Sequence, residues 1–174
     1  MLPKLQQARQ AVRERLADLP PADFTLETGL KPYRSIKRKM ETDHAKKPED
    51  LSDLARGRLF FSEQFQQEHV LDLLKRLFGT GIGTIEDKAK CEHGLEYHGI
   101  VHVNLNLDGQ PFELQVLPME YKPHRQFLHG IYERFRDPKR LEKLTPERKE
   151  TLSKIHNDMY QKLHEQALKN RSDQ

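Results

Sequence analysis

Apolar positions along the chain fall into helical and strand-like runs that alternate. Leu5, Ala8, Val12, Leu16 and Leu19 recur at helical spacing, which predicts a first helix over residues 4–18, ended by Pro20-Pro21. Residues 20–34 read as an extended linker. Ser35 is the expected N-cap of a short basic helix through Ile36 and Met40, and a polar loop follows over 43–52. Residues 54–61 read as a strand. Ser62 then caps an amphipathic helix through Phe78, with Gly79 just past its end. A short strand over 82–87 leads into a polar loop over 88–96. Two strands, 99–107 and 111–118, flank Asp108-Gly109, a strong hairpin signal. A helix over 122–136 comes next. Thr145-Pro146 opens the last one, which carries Leu152, Ile155, Met159, Leu163 and Ala167 and is expected to fray from Asn170 onward. The predicted product is one α+β domain over 1–174: a mixed sheet of four or five strands with flanking helices, packed on one face.

Strand alternation also sorts the chemistry. Val101, Val103, Leu105 and Leu107 point to the core, so His102, Asn104 and Asn106 point away from it. Phe112, Leu114 and Val116 oppose Glu113 and Gln115, and Gly57, Leu59 and Phe61 oppose Arg56 and Arg58. Asp53 stands at the entrance to the first of these strands. Such a face is either the wet side of a half-buried sheet or a ligand cleft. Phe60, Ile100 and Leu117 fall in it, and apolar surface mixed with convergent polar groups is what a ligand cleft needs. Asp53 and Glu113 are hard oxygen donors. If they converge, they suit Mg²⁺ held together with substrate phosphates. The run from Lys31 to Lys39 packs basic residues around a helix start, which fits phosphate binding, an exposed basic face or nucleic acid. Arg125, His129, Tyr132 and Arg136 share one face of a later helix.

Composition narrows the classes. Lys+Arg number 30 against 27 Asp+Glu, a balance that by itself does not predict nucleic-acid binding. The single cysteine, Cys91, rules out an intramolecular disulfide framework and, despite His93 nearby, reads as a structural thiol rather than a zinc ligand. There is no GxxxxGK[ST] loop, no GxGxxG and no HExxH spacing. No signal-like or membrane-length apolar run is present, so the expected location is the cytoplasm, with no membrane partner.

Three segments in order resemble the RelA/SpoT synthetase family. Lys31, Ser35, Ile36, Lys39 and Met40 match its Lys-x-x-x-Ser-Ile-x-x-Lys-Met segment. Asp53 through Arg58 resembles its Asp-x-x-Gly-x-Arg strand, and Tyr97 to His102 followed by Glu113-Leu114-Gln115 resembles its Gly-Tyr-x-x-x-His and Glu-x-Gln strands. The sequence departs from the family in having Gly29 where an arginine opens the first motif and Arg56 where the second has its glycine. Tyr97 and His102 are one residue further apart, so Tyr97 or His98 fits the stacking position. The His129-x-x-Tyr132-x-x-x-Arg136 pattern looks like one in the family's toxin and effector domains.

The resemblance implies a stand-alone, nucleotidyltransferase-like pyrophosphokinase of the kind that makes alarmones in the stringent response. It implies Mg²⁺ on Asp53 and Glu113, with Glu113, Asp53 and Arg58 catalytic. ATP and a guanine-nucleotide acceptor would be bound by Lys31, Ser35, Lys39, Arg56, Tyr97, His98, His102, Gln115, His129, Tyr132 and Arg136. Two alternatives stay open: a toxin or effector that pyrophosphorylates a tRNA 3′ end, and an inactive RNA-binding or regulatory module of the same fold.

Overall fold

The computed structural model describes residues 2–42, 47–48, 51, 53–87 and 95–172. Cys91 and His93 lie outside the described residues. Helix α1 spans Leu2–Arg15 and buries Leu5, Ala8 and Val12, the periodic positions. The stretch expected as a linker contains a strand instead, β1, Phe24–Leu30. It is an edge strand whose Phe24, Leu26 and Leu30 alternate inward, a signal masked by Pro20-Pro21 and Gly29. Helix α2, Tyr33–Thr42, starts two residues before the expected cap. Ser35 is therefore in its first turn, its amide donating to the Pro32 carbonyl at 2.9 Å.

Strand β2 spans Ala55–Phe61 and helix α3 Gln67–Phe78. Ser62 does not cap α3. Its hydroxyl donates to Asp23 Oδ1 at 3.0 Å and its amide to the Asp23 carbonyl at 2.8 Å, so it closes the β1–β2 pair and the helix begins later. Strands β3 (Ile82–Asp87), β4 (Val101–Leu107) and β5 (Gln110–Pro118) follow as read from the sequence. Asp108 and Gly109 both have positive φ, 52° and 78°, the twist a two-residue hairpin requires. Helices α4 (Arg125–Arg136), α5 (Pro138–Leu141) and α6 (Pro146–Ser172) complete the domain. Thr145 caps α6, its hydroxyl accepting from the Arg148 amide at 3.3 Å. The end of α6 is held rather than frayed: Arg171 donates from Nε to the Phe65 carbonyl at 2.6 Å and lies over the Phe61 ring.

The five strands form one mixed sheet in the order β1-β2-β5-β4-β3. Only β2 and β5 run parallel. Helices cover both faces, which corrects the one-face expectation. On the first face α1 and α3 pack on Leu59, Phe61, Val103, Leu114 and Val116. On the second, α4 and α6 pack only on the end formed by Phe60, Ile100 and Leu117. The rest of that second face is left as a cavity beneath α4. No helix among the described residues is long and apolar enough to cross a membrane.

Candidate active site

Register lays the second face out in cross-sheet rows. In one row Gly29, Arg56, Glu113, Asn104 and Thr84 are successive neighbours. In the next stand Glu27, Arg58, Gln115, His102 and Glu86. A third, apolar row follows with Thr25, Phe60 and Leu117, beside Ile100. The polar rows exist because period-2 alternation on three strands is in phase. Gly57 sits between the two arginines. A Cβ there would lie 3.0 Å from the Glu27 carbonyl and 3.1 Å from the Phe112 ring, so a larger residue would push the β1 backbone or that ring back by a few tenths of an ångström.

A cavity of about 310 Å³ opens on these rows. Lys31, Lys39, Asp53, Arg56, Arg58, His102, Glu113 and Gln115 line its polar end. Tyr97, His129, Tyr132 and Arg136 line it as well. Ser35 and His98 are not among its walls. The His98 ring stacks on His164 at 6.0 Å between centroids and its Nε2 meets Glu96 at 3.0 Å, so of the two candidates for stacking it is Tyr97 that faces the cavity. Gly99, at φ 69°, permits this loop. A Cβ there would collide with His164 Nδ1 at 2.8 Å and Tyr121 Oη at 3.0 Å.

Sequence reasoning missed two wall residues from the helices, Leu128 of α4 and Tyr160 of α6, while Arg125, placed by the sequence on the His129 face of α4, lines the cavity as well. Tyr160 packs edge-on to Tyr97 at 5.3 Å and beside His156 at 4.7 Å. The buried stripe of α6 is His156, Tyr160, Leu163, Ala167 and Arg171, also a helical repeat. Ile155, chosen by hydrophobicity, is exposed at 37% and His156 takes the inward position, because the partner surface there is aromatic rather than aliphatic, while Met159 packs against the cluster around Phe60 and Tyr160 as expected.

The two carboxylates are held differently. Asp53 sits just before β2, where the Lys31 amide donates to the Leu54 carbonyl at 2.8 Å and the strand ends come together. Its Oδ2 pairs with the buried Lys31 ammonium and with Lys39 at 3.1 Å. Burial works to raise the Asp53 carboxyl, but the two lysines outweigh it and hold it below its ordinary value. Burial also lowers the Lys31 ammonium, which Asp53 only partly offsets. Asp53 Oδ1 is buried with no hydrogen-bond partner among the described residues.

Glu113 accepts from the Gln115 amide at 3.1 Å and lies 3.4 Å from His102 Nδ1. Burial again pushes its carboxyl up, His102 outweighs that, Asp53 pushes back, and the net shift is downward. Asp53 and Glu113 thus feel each other across one cavity. Arg58 is driven down to about 10, mainly by burial and then by Arg125 and Arg56. Burial and the same three arginines keep the His129 imidazole low.

No protein-family model matches the sequence, and no curated protein matches it. Solved structures do match in fold. Small alarmone synthetase 2 from Bacillus subtilis superposes with a TM-score of 0.69 at 17% identity, over 99% of this chain and 97% of that one. The chain has the fold of the small alarmone synthetases. Small alarmone synthetase 1 from the same organism, bound to its product pppGpp, gives a TM-score of 0.69 at 16% identity over 97% and 93% of the two chains. The Type VI effector Tas1, solved with its immunity protein, gives 0.61 at 18% over 94% and 92%. The alarmone synthetase fold therefore accounts for nearly the whole chain, five-stranded sheet and both helical layers included.

Proposed function

We propose that the chain transfers pyrophosphate from ATP to a ribose hydroxyl of a guanine nucleotide. The observation that carries this reading is the pairing, in one cationic cavity, of Glu113 held by Gln115 and His102 with Asp53 bearing an unpartnered buried Oδ1. In the transfer the acceptor oxygen forms a bond to the β-phosphorus of ATP, the bond between that phosphorus and the α-phosphate oxygen breaks, and AMP leaves.

Each residue has a task its position suits. Lys31 and Lys39 flank Asp53, Arg136 lines the same cavity, and the three bind phosphate oxygens, as cations and helix-start amides do. Arg56 and Arg58, fixed on a central strand, stand against the charge that grows on the transferring group. Glu113 stays ionised at neutral pH, because its carboxyl is held low. It orients the acceptor hydroxyl and accepts its proton. His102 and Gln115 fix the carboxylate. Tyr97 offers a face to the acceptor base, with Ile100, Leu117, Leu128 and Tyr160 forming the apolar end.

Asp53 Oδ1 and Glu113 fit Mg²⁺: both are hard oxygens, and no group of three or more His, Cys, Asp or Glu gathers into a protein-only cage among the described residues. Such a cation shares its ligands with substrate phosphates and neutralises their charge. Small alarmone synthetase 1 bound to pppGpp supports a guanine nucleotide as acceptor.

The test is purified protein with labelled ATP, Mg²⁺ and a panel of GDP, GTP, adenine nucleotides and tRNA. Transfer to GDP or GTP that vanishes in Glu113→Gln is the expected result. No transfer to any acceptor removes the reading and leaves an RNA-binding module. The likeness to Tas1 favours a second reading, in which the same transfer serves a toxin and the acceptor is another nucleotide or tRNA. Growth arrest on expression, relieved by Glu113→Gln, together with preference for such an acceptor, would select it.

A further inference from the structure

Glu27 belongs to the same polar row as Arg58, Gln115 and His102, at the β1 edge of the sheet. Its Oε2 accepts from Arg125 Nη1 of α4 at 2.6 Å, and both side chains are partly exposed, 40% and 34%. Arg125 also lines the cavity, so one arginine is shared between the interior and an edge strand. Arg56, Arg58 and Arg125 crowd one another. Arg58 is driven down first by burial and then by the other two, with Glu27 and Glu113 opposing that shift. Glu113 is already committed to His102 and Gln115. Glu27 is thus the carboxylate that answers the arginine cluster from outside the cavity wall.

We propose that Glu27 is a specificity-determining residue: it holds Arg125 in reserve, and a polyphosphate in the cavity takes Arg125 from it. This rests on reading the cavity as a phosphate site. A guanidinium binds carboxylate and phosphate by the same fork, so the two anions compete for one donor face. The Glu27 pair is half-exposed, so it is weak enough to be exchanged. A ligand must break it to gain Arg125, and one with too few charges leaves Arg125 with Glu27. Glu27 therefore acts as a built-in competitor whose penalty falls most heavily on long, highly charged phosphates, a repulsive element working beside the attractive ones.

The same role is not available at the other end of α4. There Glu133 accepts from Arg38 of α2 at 3.0 and 3.4 Å, and neither residue lines the cavity. Glu133 also lies 3.9 Å from Nε2 of the wall residue His129, but neutralising it removes an equal charge and leaves Arg125 with Glu27, so it serves as the control for release of Arg125.

Calorimetric titration with orthophosphate, pyrophosphate and tripolyphosphate tests this without relying on catalysis. Glu27→Gln should tighten tripolyphosphate by roughly 3- to 5-fold, the scale of an exposed ion pair, and orthophosphate by less. The gain should disappear in the Glu27→Gln/Arg125→Gln double variant, and Glu133→Gln should leave the ranking of the three anions as in wild type. Unchanged or weakened binding in Glu27→Gln overturns the proposal. So does a gain that survives loss of Arg125, an equal chain-length effect in Glu133→Gln, or a wild type that binds none of the three. A protein that shows the chain-length effect yet transfers nothing from ATP removes the transfer reading and leaves this inference standing.

Discussion

Asp53 and Glu113 are acids of one cavity, and they are built in opposite ways. Asp53 lies at a strand end and is clamped by two lysines, one of them buried to 4% exposure. Glu113 lies mid-strand in the sheet centre, held by an amide and an imidazole. The first arrangement ties a charge into the fold, because Lys31 cannot remain buried without it. The second leaves a charge in place that the fold does not need. A structural counter-ion and a reactive group can therefore be told apart by what their partners lose when they go.

Glu113→Gln breaks the comparison most sharply. It should lower transfer by about 10²- to 10⁴-fold, as loss of a positioned proton acceptor does, while circular dichroism and melting stay close to wild type. Asp53→Asn should do the reverse in stability. It leaves Lys31 buried without its carboxylate and should cost about 3–5 kcal/mol in urea unfolding. If Asp53→Asn melts like wild type, the lysine clamp is not structural.

Acid should separate the pair further. Both carboxyls are held below their ordinary values of 3.8 and 4.5 in the folded state. Each therefore contributes stability that is complete above those values and is lost as pH falls through the lower folded ones. Urea unfolding from pH 6 to pH 3 should show that loss in wild type and a shallower slope in Asp53→Asn. A slope unchanged by the substitution would mean that Asp53 carries none of it.

The smallest expected effect concerns Arg56. The two departures from the family motifs, Gly29 and Arg56, are cross-strand neighbours, and nothing lies within 4 Å of a Cβ built on Gly29. Arg56 helps to keep the Glu113 carboxyl low. In Arg56→Gly the acidic limb of the pH–rate profile should move up by a fraction of a pH unit, on the order of 1 kcal/mol or less. Adding Gly29→Arg should move it back, since the guanidinium would then stand across the same strand pair. No return would show that the two positions are not equivalent.

Much of this contrast is legible in sequence. Alternation on three strands places Arg56, Arg58, His102, Glu113 and Gln115 on one face, because a period of two leaves no other choice once Val103, Leu114 and Leu59 are core. What sequence does not show is which elements pair. Lys31 reaches Asp53 only because β1 exists, and β1 hides behind two prolines and a glycine. The same omission conceals Glu27. Ser62 carries a good helix-cap side chain, yet Asp23 takes its hydroxyl, a long-range partner no local rule can name. Tyr160 escapes for a related reason: its neighbours Tyr97 and His156 make an aromatic surface, and hydropathy alone ranks Ile155 and Met159 ahead of it.

The parallel pairing of β2 with β5 has a consequence in time. Arg56 and Glu113 are adjacent across that pair yet distant along the chain, and the β3–β4 segment must be threaded out before they meet. Closing a long loop is a late, entropically costly event, so the cationic strand and the acidic strand join near the end of folding rather than at its start. A half-folded chain then carries Arg56 and Arg58 without Glu113 beside them, so the site is completed only when β5 joins β2.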